Sequence, residues 1–196
     1  MKDLLYGVGF NDGKYPVFVN GKKKIAEYRL WQGILERCYS QRVQQKQPTY
    51  VGCSVSNKFK SYSYFHEWCQ EQIGFGQKSF QLDKDLLVRG NKVYSEDTCL
   101  FIPRDLNILL TKREACRGDL PIGVSLSKDN SGFKAQGSFG TFHKKYLGYS
   151  PTAMEAFTRY RQVKEFYIKF RAEQWREFID PRAYEALMSY EVLITD

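Results

Sequence analysis

With 196 residues, 42% of them hydrophobic and 16% aromatic, the chain is long and apolar enough for one large domain or two small ones, which excludes wholesale disorder. Its formal net charge of +8 points to a polyanionic partner or, at the least, to a basic surface. No apolar run approaches the length of a spanning helix and the N-terminal stretch MKDLLYGVGFNDG lacks the apolar core of a secretory signal, so neither membrane insertion nor secretion is expected.

The charge is unevenly placed. Residues 112–176 carry 13 Lys/Arg against 6 Asp/Glu, while the last twenty residues carry one Arg against five acids. The five cysteines, Cys38, Cys53, Cys69, Cys99 and Cys116, are scattered and form no CxxC pair, which disfavours a zinc site or a disulfide framework. They read as buried thiols of a reducing cytoplasm.

In chain order, residues 16–19 followed by Asn20-Gly21 predict a strand entering a tight hairpin. Apolar residues at Leu30, Trp31, Ile34, Leu35 and Cys38 have the spacing of a helix over 26–39. A polar connection over 41–48 follows, then a second amphipathic helix over 61–73 carrying Tyr64, Phe65, Trp68 and Cys69, broken at 74–79. Residues 80–88 read as extended, Arg89-Gly90-Asn91 as a turn and 99–102 as a short strand, with Pro103 opening a helix to about Lys112. A domain boundary is expected over 113–120. Beyond it come three strand candidates, 123–127, 132–139 and 144–149, with turns at Asp129-Asn130 and Gly140-Thr141. Thr152 with Glu155 caps a long helix to about Trp175, and Asp180-Pro181 starts a short last helix.

Alternation sorts the three strands into two faces. One carries Ser125 and Ser127, then Lys134, Gln136 and Ser138, then Lys144 and Tyr146; the other carries Val124, Leu126, Phe133, Ala135, Lys145 and Leu147. The first face is basic and hydrogen-bonding and the second mostly apolar, the pattern of a sheet backed by a helix. Arg159, Arg161, Lys164, Lys169 and Arg171 read as a solvated face of that helix.

The motifs IGVS (122–125), GFKAQGS (132–138) and KKYLGYSPTAMEAF (144–157) resemble the AP2-type DNA-binding domain of plant transcription factors and some phage homing endonucleases. The resemblance implies a three-stranded antiparallel sheet in the major groove with the helix behind it. A ribbon of that kind fits the groove, where Gln pairs with adenine and Lys with guanine or phosphate. Where the plant family places arginines and tryptophans, this chain has Ser125, Ser127, Ser138 and Tyr146, which implies more relaxed base reading.

The segment QLDKDLLVRGNKVYSEDTCLFIPRDLN (81–107), flanked by LWQGILERCYS (30–40) and SNKFKSYSYFHEW (56–68), resembles phage HNH endonucleases. Carried over by position, Asp83 matches the metal-binding carboxylate, Asn91 the loop asparagine and Asn107 the helix ligand, with Mg²⁺ or Mn²⁺ as the metal if the site is active. Lys84 stands where the general-base histidine belongs. An ordinary lysine is protonated at neutral pH and takes no proton from water. Neither histidine replaces it in sequence: His66 falls in the second helix and His143 in a turn of the basic module, placed to touch phosphate.

The expected fold is α+β: an HNH-like ββα half (1–115), an AP2-like sheet on a long helix (120–178) and a C-terminal helical tail (179–196). The expected function is double-stranded DNA binding by a phage-type protein in the host cytoplasm, with nuclease activity lost or altered. Two alternatives stand beside it. One is an active metal-dependent endonuclease or nickase using Asp83, Lys84, Asn91 and Asn107. The other is a protein-interaction module that inhibits a host enzyme.

Overall fold

The helical spacing of Trp31, Ile34, Leu35 and Cys38 closes helix α1 (Ala26–Tyr39), and these four side chains are its buried stripe. In the computed structural model, which describes residues 4–112, 118–139 and 145–196, the chain divides into two units, Met1–Ile102 and Pro103–Asp196. Cys116, His143 and Lys144 lie outside the described residues. The architecture is mixed α and β, with several small sheets rather than one large one.

In the first unit a hairpin of β1 (Phe18–Val19) and β2 (Lys23–Lys24) precedes α1. Its turn is the expected Asn20-Gly21, both residues with positive φ (50° and 68°), the primed turn that matches the twist of two paired strands. The expected polar connection after α1 is instead a short helix, α2 (Gln41–Lys46), which buries no residue and so leaves no apolar stripe to read in the sequence.

Helix α3 (Tyr62–Glu71) is capped by Ser61, whose hydroxyl accepts the Tyr64 N–H at 3.3 Å. It packs on α1 through Tyr62, Phe65, Trp68 and Cys69, with Phe59 between them. The Trp31 indole donates to the Phe59 carbonyl at 2.8 Å, so the largest core side chain is also satisfied as a donor. Strand β3 (Ser54–Val55) pairs in parallel with β5 (Val93–Tyr94), a two-residue contact that no run of alternating residues announces. Strand β4 (Phe80–Asp83) pairs with β6 (Leu100–Pro103). The extended segment expected to reach residue 88 stops at Asp83, where the chain turns on that residue's own carboxylate.

The second unit starts with α4 (Arg104–Leu110), entered directly from β6. Strands β7 (Val124–Leu126), β8 (Phe133–Gly137) and β9 (Lys145–Ser150) form an antiparallel sheet in that order. Helix α5 (Ala153–Trp175) packs across it, capped by Thr152, whose hydroxyl accepts the Glu155 N–H at 3.2 Å. Its buried stripe recurs every four residues: Ala156, Tyr160, Lys164, Ile168 and Ala172.

Lys164 is therefore no part of a solvated face. It is buried, with its ammonium 5.6 Å above the Tyr160 ring. Arg171 departs from that face too, because its guanidinium pairs with Asp105, which also accepts from the Trp175 indole at 3.3 Å. Helix α6 (Pro181–Met188) packs on α5. The segment beyond it is held down at two points: Glu165 of α5 accepts the Val192 N–H at 2.8 Å and buried Asp196 holds the Lys112 ammonium at 2.6 Å.

Candidate nucleic-acid interface

Two places gather the residues that the sequence singles out: the loop after β4 and the outer face of the β7–β8–β9 sheet.

In the loop, Asp83 accepts the backbone N–H groups of Asp85 at 2.8 Å and Leu86 at 2.7 Å through one carboxylate oxygen. Burial holds its carboxyl above the ordinary carboxylate range, against the opposing pull of those two donors. Lys84 turns inward and is only 7% exposed. Its ammonium donates to the Asn91 carbonyl at 2.7 Å, pairs with Asp85 and lies 5.6 Å above the Tyr94 ring. Asn91 closes the loop. Its carboxamide nitrogen donates to the carbonyls of Lys84 and Val93, both at 2.7 Å, and its oxygen accepts the Val93 N–H at 2.9 Å.

Asp83, Lys84 and Asn91 thus belong to one hydrogen-bonded loop of the first unit, while Asn107 lies on α4 in the second. A divalent cation is drawn to several uncommitted oxygens. Here one carboxylate is held by two backbone donors and the other, on Asp85, is neutralised by an enclosed ammonium that would repel a metal ion. The loop residues do not fit such an ion. Among the described residues, no group of three or more His, Cys, Asp and Glu side chains could hold a metal. His66 lies on α3, stacked on Tyr15 with ring centres 3.9 Å apart and its Nε2 3.9 Å from the Glu27 carboxylate.

On the sheet, α5 covers the face of Val124 and Ala135, which are paired across the strands and buried. The opposite face presents Ser125 beside Lys134, and Gln136 beside Tyr146. Gln136 donates to the Ser125 hydroxyl at 2.9 Å, which fixes its carboxamide along the sheet. Lys134 has no ion-pair partner among the described residues. Ser138 follows β8 and is exposed.

Strict alternation fails in β9, where a bulge interrupts the register. Ala135 lies opposite Gly148 but Gln136 lies opposite Tyr146, so Leu147 is the extra residue and the strand changes phase there. Tyr149, which alternation assigns to the helix side, therefore stands opposite Lys134 on the outer face. Both tyrosines are exposed, Tyr146 by 64% and Tyr149 by 44%. Tyr149 is also held in place, its hydroxyl donating to the Ser131 carbonyl at 2.8 Å. Its ring passes over Gly132 so closely that a Cβ there would meet the phenolic oxygen at 2.3 Å.

Ser127 leaves the expected face. It is 6% exposed and its hydroxyl closes the β7–β8 turn, donating to Asp129 at 2.6 Å and accepting the Gly132 N–H at 3.2 Å. The signal for that role was present, since a Ser two residues before an Asp in a turn is a local hydrogen-bonding pattern.

Compared with protein-family models, with curated proteins and with solved structures, the chain matches none.

Proposed function

We propose that the chain binds double-stranded DNA through the outer face of the β7–β8–β9 sheet. The observation that carries this reading is the convergence of Lys134, Gln136, Tyr146 and Tyr149 on the one sheet face that α5 does not cover. Lysine supplies a mobile cation for phosphate or guanine, glutamine a paired donor and acceptor for adenine, and the tyrosines flat rings for sugars and thymine methyl groups. The likeness of residues 122–157 to AP2-type domains assigns the same face to the major groove, and the likeness of 81–107 to HNH endonucleases makes the first unit a nuclease-type scaffold. With Lys84 enclosed and paired at the position of the general base, that scaffold serves binding rather than hydrolysis.

The test is a gel shift on random-sequence duplex in EDTA, run beside a supercoiled-plasmid assay in Mg²⁺ or Mn²⁺. The expected result is a shift without nicking. Changing Lys134, Gln136, Tyr146 and Tyr149 together to Ala should weaken binding by about 3 kcal/mol or more, on the scale of about 1–3 kcal/mol for each specific contact. Binding that survives the fourfold change would place the DNA contact elsewhere. Nicking abolished by Asp83→Ala would establish an enzyme, and no binding at all would favour a protein partner.

A further inference from the structure

We propose that the β1–β2 hairpin of the first unit is a second duplex-DNA contact, in which Lys22 and Lys23 engage phosphates and Val19 lies against the sugar edge. The proposal rests on the DNA-binding reading above and names a surface that neither resemblance assigns.

The hairpin separates its lysines by register. Phe18 lies opposite Lys24 and Val19 opposite Lys23, so the two pairs occupy opposite faces of the ribbon. Lys24 turns toward α1, donating to the Gln32 carboxamide at 2.6 Å with its ammonium 5.5 Å above the Tyr28 ring. Lys22, at the end of the turn, and Lys23, on the opposite face, are exposed and have no ion-pair partner among the described residues. Val19 beside them is 51% exposed.

The nearest carboxylates along the chain are engaged. Asp12 accepts from the Ser63 hydroxyl and the Lys14 N–H, and Glu27 accepts from Gln70 at 2.7 Å. Among the described residues the tip therefore carries two cations without an ion-pair partner. The Val19 carbonyl accepts the Lys22 N–H at 3.2 Å across the two left-handed turn residues, so the tip is a closed turn and not a loose loop. A two-stranded ribbon with cations at its tip and one apolar side chain between them matches the charge and width of a nucleic-acid groove flanked by phosphates.

The experiment measures duplex affinity of the full chain against salt for four proteins: wild type, Lys22→Gln/Lys23→Gln, Lys22→Arg/Lys23→Arg and Lys24→Gln. Each phosphate contact contributes about 0.9 to the slope of log K against log salt, so the double Gln variant should lower its magnitude by about 1.8. The double Arg variant should keep the wild-type slope, and Lys24→Gln should leave it unchanged although it removes a charge nearby. An unchanged slope in the double Gln variant, or an equal fall per charge in Lys24→Gln, would overturn the proposal while leaving the sheet as the DNA-binding face. Absence of duplex binding by the wild type would overturn both readings. Co-sedimentation with phosphatidylserine vesicles that is lost in the double Gln variant, with the DNA slope intact, would assign the hairpin to an anionic lipid surface and overturn the proposal as well.

Discussion

The loop over 84–93 and the outer face of the β7–β8–β9 sheet use the same residue types for opposite ends. In the loop, the Lys84 ammonium is enclosed, paired with Asp85 and bound to the Asn91 carbonyl, while the Asn91 carboxamide has backbone partners on both its nitrogen and its oxygen. On the sheet, among the described residues, Lys134 has no ion-pair partner and the Gln136 carboxamide donates to Ser125. A cation whose partners lie inside its own loop stabilises that loop, whereas a cation left without one is available to a ligand. Residue type alone does not distinguish the two; partners do.

The contrast can be broken most forcefully at Asn91. Asn91→Ala removes the donor to the Lys84 carbonyl and the acceptor of the Val93 N–H, while the Val93 carbonyl keeps the Thr98 hydroxyl, and the expected cost is about 3 kcal/mol of stability at two orphaned groups. Chemical denaturation should show the midpoint falling at constant m-value, with duplex affinity of the folded protein unchanged. A fall in affinity without a fall in stability would make the loop part of the interface.

Lys84→Met comes next. It keeps the length of the buried side chain and removes the charge, leaving an exposed Asp85 and one unpaired carbonyl, so a loss of about 1–2 kcal/mol is expected. Thermal melting of this variant beside Asn91→Ala checks whether the ammonium or the carboxamide holds the loop.

Lys134→Ala should do the reverse, leaving stability within about 0.5 kcal/mol and weakening duplex binding by about 1 kcal/mol. Titration calorimetry at fixed salt measures the second quantity.

The smallest effect concerns the turn between β7 and β8. Hydrogen bonds from the Ser127 and Ser131 hydroxyls hold the Asp129 carboxyl down to about 2, below its ordinary 3.8. A carboxyl lowered in the folded state stabilises above the unfolded value and loses that contribution as pH falls toward the folded one. The turn should accordingly be intact at neutral pH and loosen between pH 3.8 and about 2, seen as faster exchange of the Ser131 amide. Asp129→Asn should remove the pH dependence.

Much of the framework was legible in the residues. The helical stripe of α1, the Thr152 cap that starts α5 and the Asn20-Gly21 turn follow from spacing and from local hydrogen-bonding chemistry, which act over a few residues; beyond Tyr160 the buried side of α5 does not, since Phe166 and Phe170 are exposed and Lys164 is buried. What escaped depends on contacts remote in sequence or on missing pattern. Helix α2 has no buried side, the β3–β5 pairing spans two residues, and Lys84 is enclosed beside the Tyr94 ring, which no local rule places there; Tyr160 does lie one helical turn from Lys164, but a lysine in the stripe reads as solvated. The basic face was half legible. Lys134, Gln136 and Tyr146 follow from alternation, Tyr149 was hidden by one extra residue, and Ser127 was lost to its turn.

That extra residue makes the face a matter of reading frame. In an uninterrupted strand, side chains three apart point to opposite sides; the bulge at Leu147 lets Tyr146 and Tyr149 stand on the same one. Removing Leu147 would leave the two tyrosines two residues apart and still in step in a regular strand, whereas pairing Leu147 into the ladder would put one of them out of step with the other. The register of β9 at this point therefore shapes the surface more than replacement of any one side chain on it does.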